Sequence, residues 1–447
     1  MSCDEEGGVR KPNVLIISYL FPPAGGVGVQ RALSLTKYLP DYGLQVHVLK
    51  AANAASPVRD TDLLRQIPAS VTVHNAFTPE LPFAVRQGIW RWFANGASRN
   101  GVAANARVRE RGWKQAALDW GRRLLAPEPE VLWVPFALHA ARKIVRQCCI
   151  DAVLVTAPPF SAFLIGNTLK TEFPNLKLIS DFRDDWLRFY VGTFDYQSND
   201  YVKRRATAIE RQTIERSDSV VVVTSTMLDH IRARYPDQQP QKFAFIPNGY
   251  DPETFKGWQP RPHQRGKVVI THVGTVYSAS SPRYYLDGLD QMPEEVRNGV
   301  ETRFVGRIAD AERCHLRNRR STVHLMDFVP QQQAIEEMAE ADYLLLTMTD
   351  GPSLTGKIFE YLATGKPILA ITPLDGEVAR ILRETKSGWC ASPNDQAGIC
   401  AMLTAAYEQS RTGRSEFQPD RDVIRRFERP RLAGAFAKLL VQREGSL

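Results

Sequence analysis

The sequence predicts an α/β fold of two Rossmann-like, doubly wound domains facing each other across a cleft. Three observations carry that expectation. Short β-branched runs alternate with helical patterns along most of the chain, as in a parallel sheet with crossover helices. The alternation breaks at Tyr250–Gly266, a stretch dense in proline, glycine and charge, and then restarts. A chain of 447 residues is also too long for one hydrophobic core and comfortable as two.

In the first half the expected strands are Asn13–Tyr19, Gln45–Leu49, Val71–Phe77, Asp151–Thr156, Leu176–Asp181, Ser219–Thr224 and Phe243–Ile246, with helices such as Phe160–Glu172 and Tyr201–Arg216 between them. After the break come Lys267–Val273, Glu301–Val305, Val323–Met326, Tyr343–Thr347 and Pro367–Ile371. Pro282–Gln291, Gln331–Ala339 and Gly356–Thr364 are the intervening helices. This divides the chain into a first domain over 1–255, a second over 256–428, and a terminal helix in 429–447 that packs back on the first domain. Ligands of such folds bind at the carboxyl ends of the strands.

Residues 84–126 do not fit the alternation and read as helices inserted on the first domain. Between Arg86 and Arg123 stand nine basic residues against Glu110 and Asp119, a local balance of +7 within a chain of net charge +8. Trp90, Trp92, Phe93, Trp113 and Trp120 are interleaved. The pattern fits a surface resting on anionic lipid headgroups, and equally a solvated face whose tryptophans pack inward. No nucleic-acid recognition motif accompanies the charge, so nucleic acid is not an expected partner.

The six cysteines (Cys3, Cys148, Cys149, Cys314, Cys390 and Cys400) are scattered, with no C-x-x-C pair and no metal-ligand cluster, which reads as a reducing compartment. The N-terminus lacks the apolar core of a signal peptide, and no apolar run approaches the roughly 18 residues needed to span a bilayer. A cytoplasmic protein, peripheral on the membrane if the basic stretch binds lipid, is the expectation.

Four segments carry chemistry. The first strand runs into S-Y-L-F-P-P-A-G-G-V-G-V-Q-R, where Gly25, Gly26 and Gly28 make a tight turn before a helix near Val29. Glycines let backbone N–H groups approach a ligand and the helix N-terminus adds positive potential, so an anion fits; a purely structural turn is the alternative. Neither the dinucleotide fingerprint nor a P-loop is present. Arg31 lies one turn into that helix. Second, K-L-I-S-D-F-R-D-D-W gathers Asp181, Arg183, Asp184 and Asp185 at a strand end, either as a functional cluster or as a structural Asp–Arg pair with a capping Asp. Third, in G-P-S-L-T-G-K-I-F-E-Y-L, Lys357 and Glu360 open a helix after Thr355 and Gly356. A carboxylate there suits the helix dipole; functionally, Glu360 would accept hydrogen bonds from ribose hydroxyls while Lys357 neutralises a diphosphate. Fourth, T-H-V-G-T-V-Y places Gly274 and Thr275 after the first strand of the second domain, with Arg283 at the next helix start, a second meeting of cation and helix N-terminus.

Together these segments, with T-A-P-P-F-S (156–161), V-V-V-T-S-T-M-L (221–228), I-P-N-G-Y-D (246–251) and K-I-F-E-Y-L-A-T-G-K-P-I-L (357–369), resemble glycosyltransferase family 4, retaining enzymes of the GT-B fold. The resemblance implies a nucleotide-diphosphate sugar donor held mainly by the second domain and a hydroxyl acceptor held mainly by the first; only the basic, aromatic stretch suggests a lipid-linked saccharide as that acceptor, and a soluble one stays open. Glu360 matches the second glutamate of the family's E-x7-E motif, on the ribose. Pro352 stands where the first glutamate belongs, leaving Asp350, Ser353 or Thr355 to substitute. Thr275 replaces the family's usual arginine, which makes Arg283 with Lys357 the candidates for the diphosphate. Asp181 or Asp184 would orient the acceptor hydroxyl, beside Arg31 and Arg183. No cofactor and no metal are expected, because protein cations stabilise the departing diphosphate. The competing readings are a nucleotide-sugar epimerase of the same fold and a nucleotide-sugar-binding protein without catalysis.

Overall fold

A computed structural model describes residues 10–56, 58–79, 123, 125–188, 200–260, 266–413 and 417–442. Nearly all of the basic, aromatic stretch at 84–126 lies outside the described residues. The chain divides into two compact units, 1–246 with 433–447, and 247–432.

The first unit holds a seven-stranded sheet: β1 (Asn13–Ile17), β2 (Gln45–Ala51), β3 (Thr72–Ala76), β4 (Ala152–Ala157), β5 (Lys177–Phe182), β6 (Ser219–Val222) and β7 (Phe243–Phe245). Every neighbouring pair is parallel and the order is β3-β2-β1-β4-β5-β6-β7. The central strands are covered on both faces, which is why β1 and β4 read as unbroken apolar runs; Val14, Leu15, Ile16 and Ile17 have no exposed surface.

The second unit repeats the plan with β8 (Val268–Val273), β9 (Val300–Val305), β10 (Thr322–Met326), β11 (Tyr343–Thr347), β12 (Ile368–Ile371) and β13 (Gly388–Ala391), ordered β10-β9-β8-β11-β12-β13. Alternate residues of its strands enter different cores. Leu345, Leu369 and Ile371 pack with Leu286 and Leu289 of the helix Arg283–Gln291 and with Ile399 and Leu403 of the helix Gln396–Thr412. Leu344, Leu346, Ile368 and Ala370 pack instead with Ile358, Leu362, Ile381 and Leu382. In both sheets the strand order reverses direction beside the first strand, so the switch points lie between β1 and β4 and between β8 and β11.

Twelve strands stand where the sequence places them, and β13 is an addition. Its residues, G-W-C-A, contain no β-branched side chain, and the strand exists because it pairs in register with β12. Gly388 is needed there: a Cβ would stand 2.0 Å from the Ile368 carbonyl oxygen.

The division between units falls at 246/247, earlier than the expected boundary at 255. Tyr250 N–H donates to the Phe427 carbonyl (3.0 Å) and Arg429 N–H to the Tyr250 carbonyl (2.9 Å), so this stretch is stitched into the second unit. Tyr250 and Phe255 also join that unit's core. The terminal helix Arg429–Val441 changes unit after Leu432. Within the first unit Phe436 lies under the Arg31 guanidinium, 5.0 Å from its ring centre, and Gly434 passes so close to Tyr42 that a Cβ would stand 2.6 Å from the hydroxyl.

Candidate functional site

The switch point of the second unit is built from the end of β8 and the start of the helix Lys357–Thr364. Gly274 follows β8 with φ of 131°, and the Lys357 side chain lies directly across it: a Cβ on Gly274 would stand 2.0 Å from Lys357 Cε. Only glycine allows that crossing, because both the backbone angle and the space exclude a side chain. Gly306, at the end of β9, has the same φ and abuts the Gly274 carbonyl, where its Cβ would come within 2.5 Å of the oxygen. The paired glycines thin the sheet edge next to the lysine.

Lys357 Nζ donates to the Thr275 carbonyl (3.0 Å) and to His272 Nε2 (3.2 Å). His272 is buried, and its Nδ1 donates to the Leu345 carbonyl at 3.0 Å. That bond leaves Nε2 as the acceptor, so the imidazole is neutral. Burial, and then the Lys357 charge, push its pKa well below the ordinary value. Burial also pushes Lys357 down to about 8, with Glu360 opposing the shift. Glu360 moves the other way: burial raises it, against the attraction of Arg429 and Lys357. Tyr361 clamps the assembly, its hydroxyl accepting from Val273 N–H at 2.8 Å. No described side chain caps the helix N-terminus at Gly356.

Lys357, Glu360, Gly274, Thr275 and Gly356 are thus brought together, with Thr355 in the same turn; the Thr355 carbonyl accepts from Ile358 N–H at 3.4 Å. Arg283 is not brought onto Lys357. It is exposed, its guanidinium is drawn to Asp287 one turn along its own helix (3.6 Å), and its N–H donates to Ser281 Oγ (3.4 Å). Of the two expected cations, Lys357 is the one the described contacts place beside a helix N-terminus. Asp350 is also committed locally: its Oδ1 accepts from Ser353 N–H at 2.8 Å, folding the loop that carries Pro352.

In the first unit, Gly25 sits against Val58 and donates its N–H to that residue's carbonyl (2.9 Å). Gly26 has φ of 93° and precedes the helix Val27–Tyr38, whose N-terminus has no side-chain cap; the space a Cβ would fill there is open. Gly28 offers its carbonyl to the Arg183 guanidinium, which also donates to Ala157 (3.2 Å) and Pro158 (2.6 Å). Arg183 therefore braces the turns after β1 and β4.

Arg31 and Asp181 require a correction. They are 8% and 0% exposed and form a two-pronged pair, Nε to Oδ2 at 2.9 Å and Nη2 to Oδ1 at 2.8 Å. Thr156 Oγ1 donates to Asp181 Oδ2 (2.7 Å), and Arg31 Nη2 donates to the Ile246 carbonyl (2.9 Å). Both carboxylate oxygens are engaged beneath the surface, so Asp181 holds β5 to the first helix and cannot meet an acceptor hydroxyl in this arrangement. Asp185 is likewise spent on Arg234 (3.0 Å) and His230 (3.2 Å). Asp184 reaches the surface of this segment, while burial of its carboxyl raises its pKa against the attraction of Arg183.

Residue reading missed His272, Tyr361 and Arg429. A signal existed for His272: it is a titratable side chain in the otherwise apolar, buried run V-V-I-T-H-V. Nothing in the sequence ties Arg429 to Glu360, which lies 69 positions earlier.

A doubly wound unit with a lysine, an uncapped helix start and a half-buried carboxylate at its switch point has the groups that suit the phosphates and ribose of a nucleotide. Comparison with known proteins identifies which. The model of "Glycosyltransferase Family 4" matches residues 101–254 and that of "Glycosyl transferases group 1" matches 267–409. The chain is a family 4-type glycosyltransferase with the GT-B fold. A curated relative, the probable glycosyltransferase WbjE of Pseudomonas aeruginosa, is 24% identical over 202 residues, covering 42% of this chain and 49% of its own length. The match thus spans about half of that relative. Among solved structures, sucrose-phosphate synthase from Thermosynechococcus elongatus matches with a TM-score of 0.62 at 13% identity, over 96% of this chain and 98% of that one. HepE of Anabaena, in complex with UDP and glucose, matches with a TM-score of 0.61 at 13% identity, over 96% and 99%.

Proposed function

We propose that this chain transfers a sugar, with retention, from a nucleotide-diphosphate donor to a hydroxyl acceptor. The observation that carries the reading is Lys357, held over Gly274 at the switch point by the neutral His272, with Glu360 one turn along the same helix. The donor diphosphate meets Lys357 and the backbone N–H groups at the start of that helix. Glu360 accepts from the ribose hydroxyls. In the reaction the bond from the anomeric carbon to the diphosphate oxygen breaks and a bond to the acceptor oxygen forms on the same face. The acceptor proton passes to the departing phosphate oxygen, so the protein needs to supply no base. Its work is to hold the partners together and to stabilise the charge growing on the leaving diphosphate, which an ammonium in a partly dry site does well. Protein groups provide this charge, without a metal or cofactor in the step. Asp184 is the carboxylate of the first unit assigned to orient the acceptor.

The direct test is a thermal-shift screen of nucleotide sugars, headed by UDP-sugars because the Anabaena structure holds UDP. One donor should raise the melting temperature of the parent and not of Glu360→Ala. If every donor shifts parent and variant alike, the site is wrong. Release of nucleotide diphosphate with an acceptor separates transfer from epimerisation, which turns over donor alone, and from binding without catalysis.

The charge pattern of Arg86–Arg123 favours a lipid-linked saccharide as acceptor, reached by a chain resting on an anionic surface. No described helix is long and apolar enough to cross a membrane. Co-sedimentation with anionic but not neutral vesicles is the expected outcome, and equal sedimentation with both would remove the membrane from the proposal.

A further inference from the structure

The sheet edge of the first unit carries a second set of chemistry-bearing side chains. His47 lies on β2, His74 on β3, and Cys148 closes the helix Val134–Gln147. They are far apart in sequence, but each offers a ligand atom within 4.8 Å of the other two. The ladder aligns the histidines: His47 stands opposite Thr72, and Leu49 opposite His74, so the two imidazoles lie on one face of the sheet. His47 is buried, and Cys148 is a free, half-buried thiol whose own carbonyl is fixed by Asn13 Nδ2 at 2.7 Å.

From this juxtaposition we propose that His47, His74 and Cys148 form a binding site for a zinc-class transition-metal ion, separate from the donor site and structural in role. The spacing supports it. His47 Nδ1 and His74 Nε2 are hydrogen-bonded at 3.3 Å, so on metal binding the ring that carries the shared proton moves it to its other nitrogen. Two nitrogens each about 2.0–2.1 Å from a tetrahedral ion stand about 3.3–3.4 Å apart. A thiolate at about 2.3 Å from the same ion would lie about 3.6 Å from each nitrogen, inside the 4.8 Å within which the three ligand atoms lie in the metal-free chain, so Cys148 Sγ draws inward on binding. Two imidazoles and a thiolate select zinc and its softer neighbours over magnesium or calcium, which take oxygen ligands. On binding, the thiol proton leaves to solvent, three metal–protein bonds form, and a water or a further group fills the fourth position. The site would tie two strands to the end of a helix, joining positions 47, 74 and 148.

The test uses the full chain in a Cys314→Ser background, which removes an exposed competing thiol. Chelator-stripped protein is titrated with Co2+, then with Zn2+ in competition. The expected result is one site per chain with tetrahedral cobalt bands and a thiolate-to-cobalt charge-transfer band, displaced by zinc, and a higher melting temperature with zinc. Cys148→Ser should abolish the charge-transfer band, and His74→Ala should weaken zinc binding roughly tenfold or more. The parent's cobalt spectrum decides the matter even if a variant folds poorly. A spectrum without a thiolate band, or zinc affinity unchanged in two folded variants, overturns the proposal.

Discussion

The two units share one topology and spend their charged residues in opposite ways. In the first, the residues that look catalytic in sequence neutralise one another: Asp181 takes Arg31, Asp185 takes Arg234 and His230, and Arg183 is shared among three carbonyls. In the second, Lys357 is placed over a bare glycine with a neutral histidine behind it, and the pKa values of Lys357 and Glu360 are shifted by burial. A strand-end cluster of charges is therefore no guide to chemistry by itself. What separates the two cases is direct contact: the first set is closed into salt bridges, whereas among the described residues neither Lys357 nor Glu360 forms one.

The comparison breaks first at the buried pair. Asp181→Ala should cost about 3–5 kcal/mol of stability, because it strands the Arg31 guanidinium below the surface. Thermal or denaturant unfolding measures it, and a loss of activity with unchanged stability would return Asp181 to the catalytic candidates. Next in size is Lys357→Ala, expected to lower the transfer rate by about 100- to 1000-fold with little change in unfolding. Glu360→Gln should weaken donor binding by about 1.5–3 kcal/mol, read by calorimetry, while leaving the fold intact.

A pH profile sharpens the same contrast. With its pKa near 8, Lys357 is cationic below that value and neutral above it. Donor affinity should therefore fall as pH rises, by roughly tenfold between about pH 7 and 9, as the protonated fraction falls. For stability the sign is opposite. A lysine lowered from 10.5 to about 8 carries a burial penalty while it is charged in the folded chain; the penalty is relieved, and stability rises, as pH climbs from the folded value toward the unfolded one. Lys357→Arg should remove the inflection in donor binding; its persistence would assign the titration elsewhere. The smallest effect belongs to Arg283→Ala, where an exposed pair with Asp287 is worth at most about 1 kcal/mol. A loss comparable to that of Lys357→Ala would restore Arg283 to the diphosphate.

Much of the fold was legible because parallel strands buried on both faces must be apolar runs, and because glycine and proline punctuate them. The helix opening at Lys357 and ending at Gly365, which has φ of 68°, was readable for the same local reasons. β13 was not, since its residues become a strand only by pairing with β12.

By itself the sequence determined the two doubly wound sheets, the family, and the segment that carries Lys357 and Glu360. Tertiary structure alone decided which charges cancel. Arg31 meets Asp181 across 150 positions, and His272 lies behind Lys357 across 85. It also decided that the last helix divides between units and that two histidines and a cysteine converge on a sheet edge. The physical reason is range. Periodicity and turn chemistry act over a few residues, whereas the pairing and pKa of a charge depend on whatever the fold sets beside it.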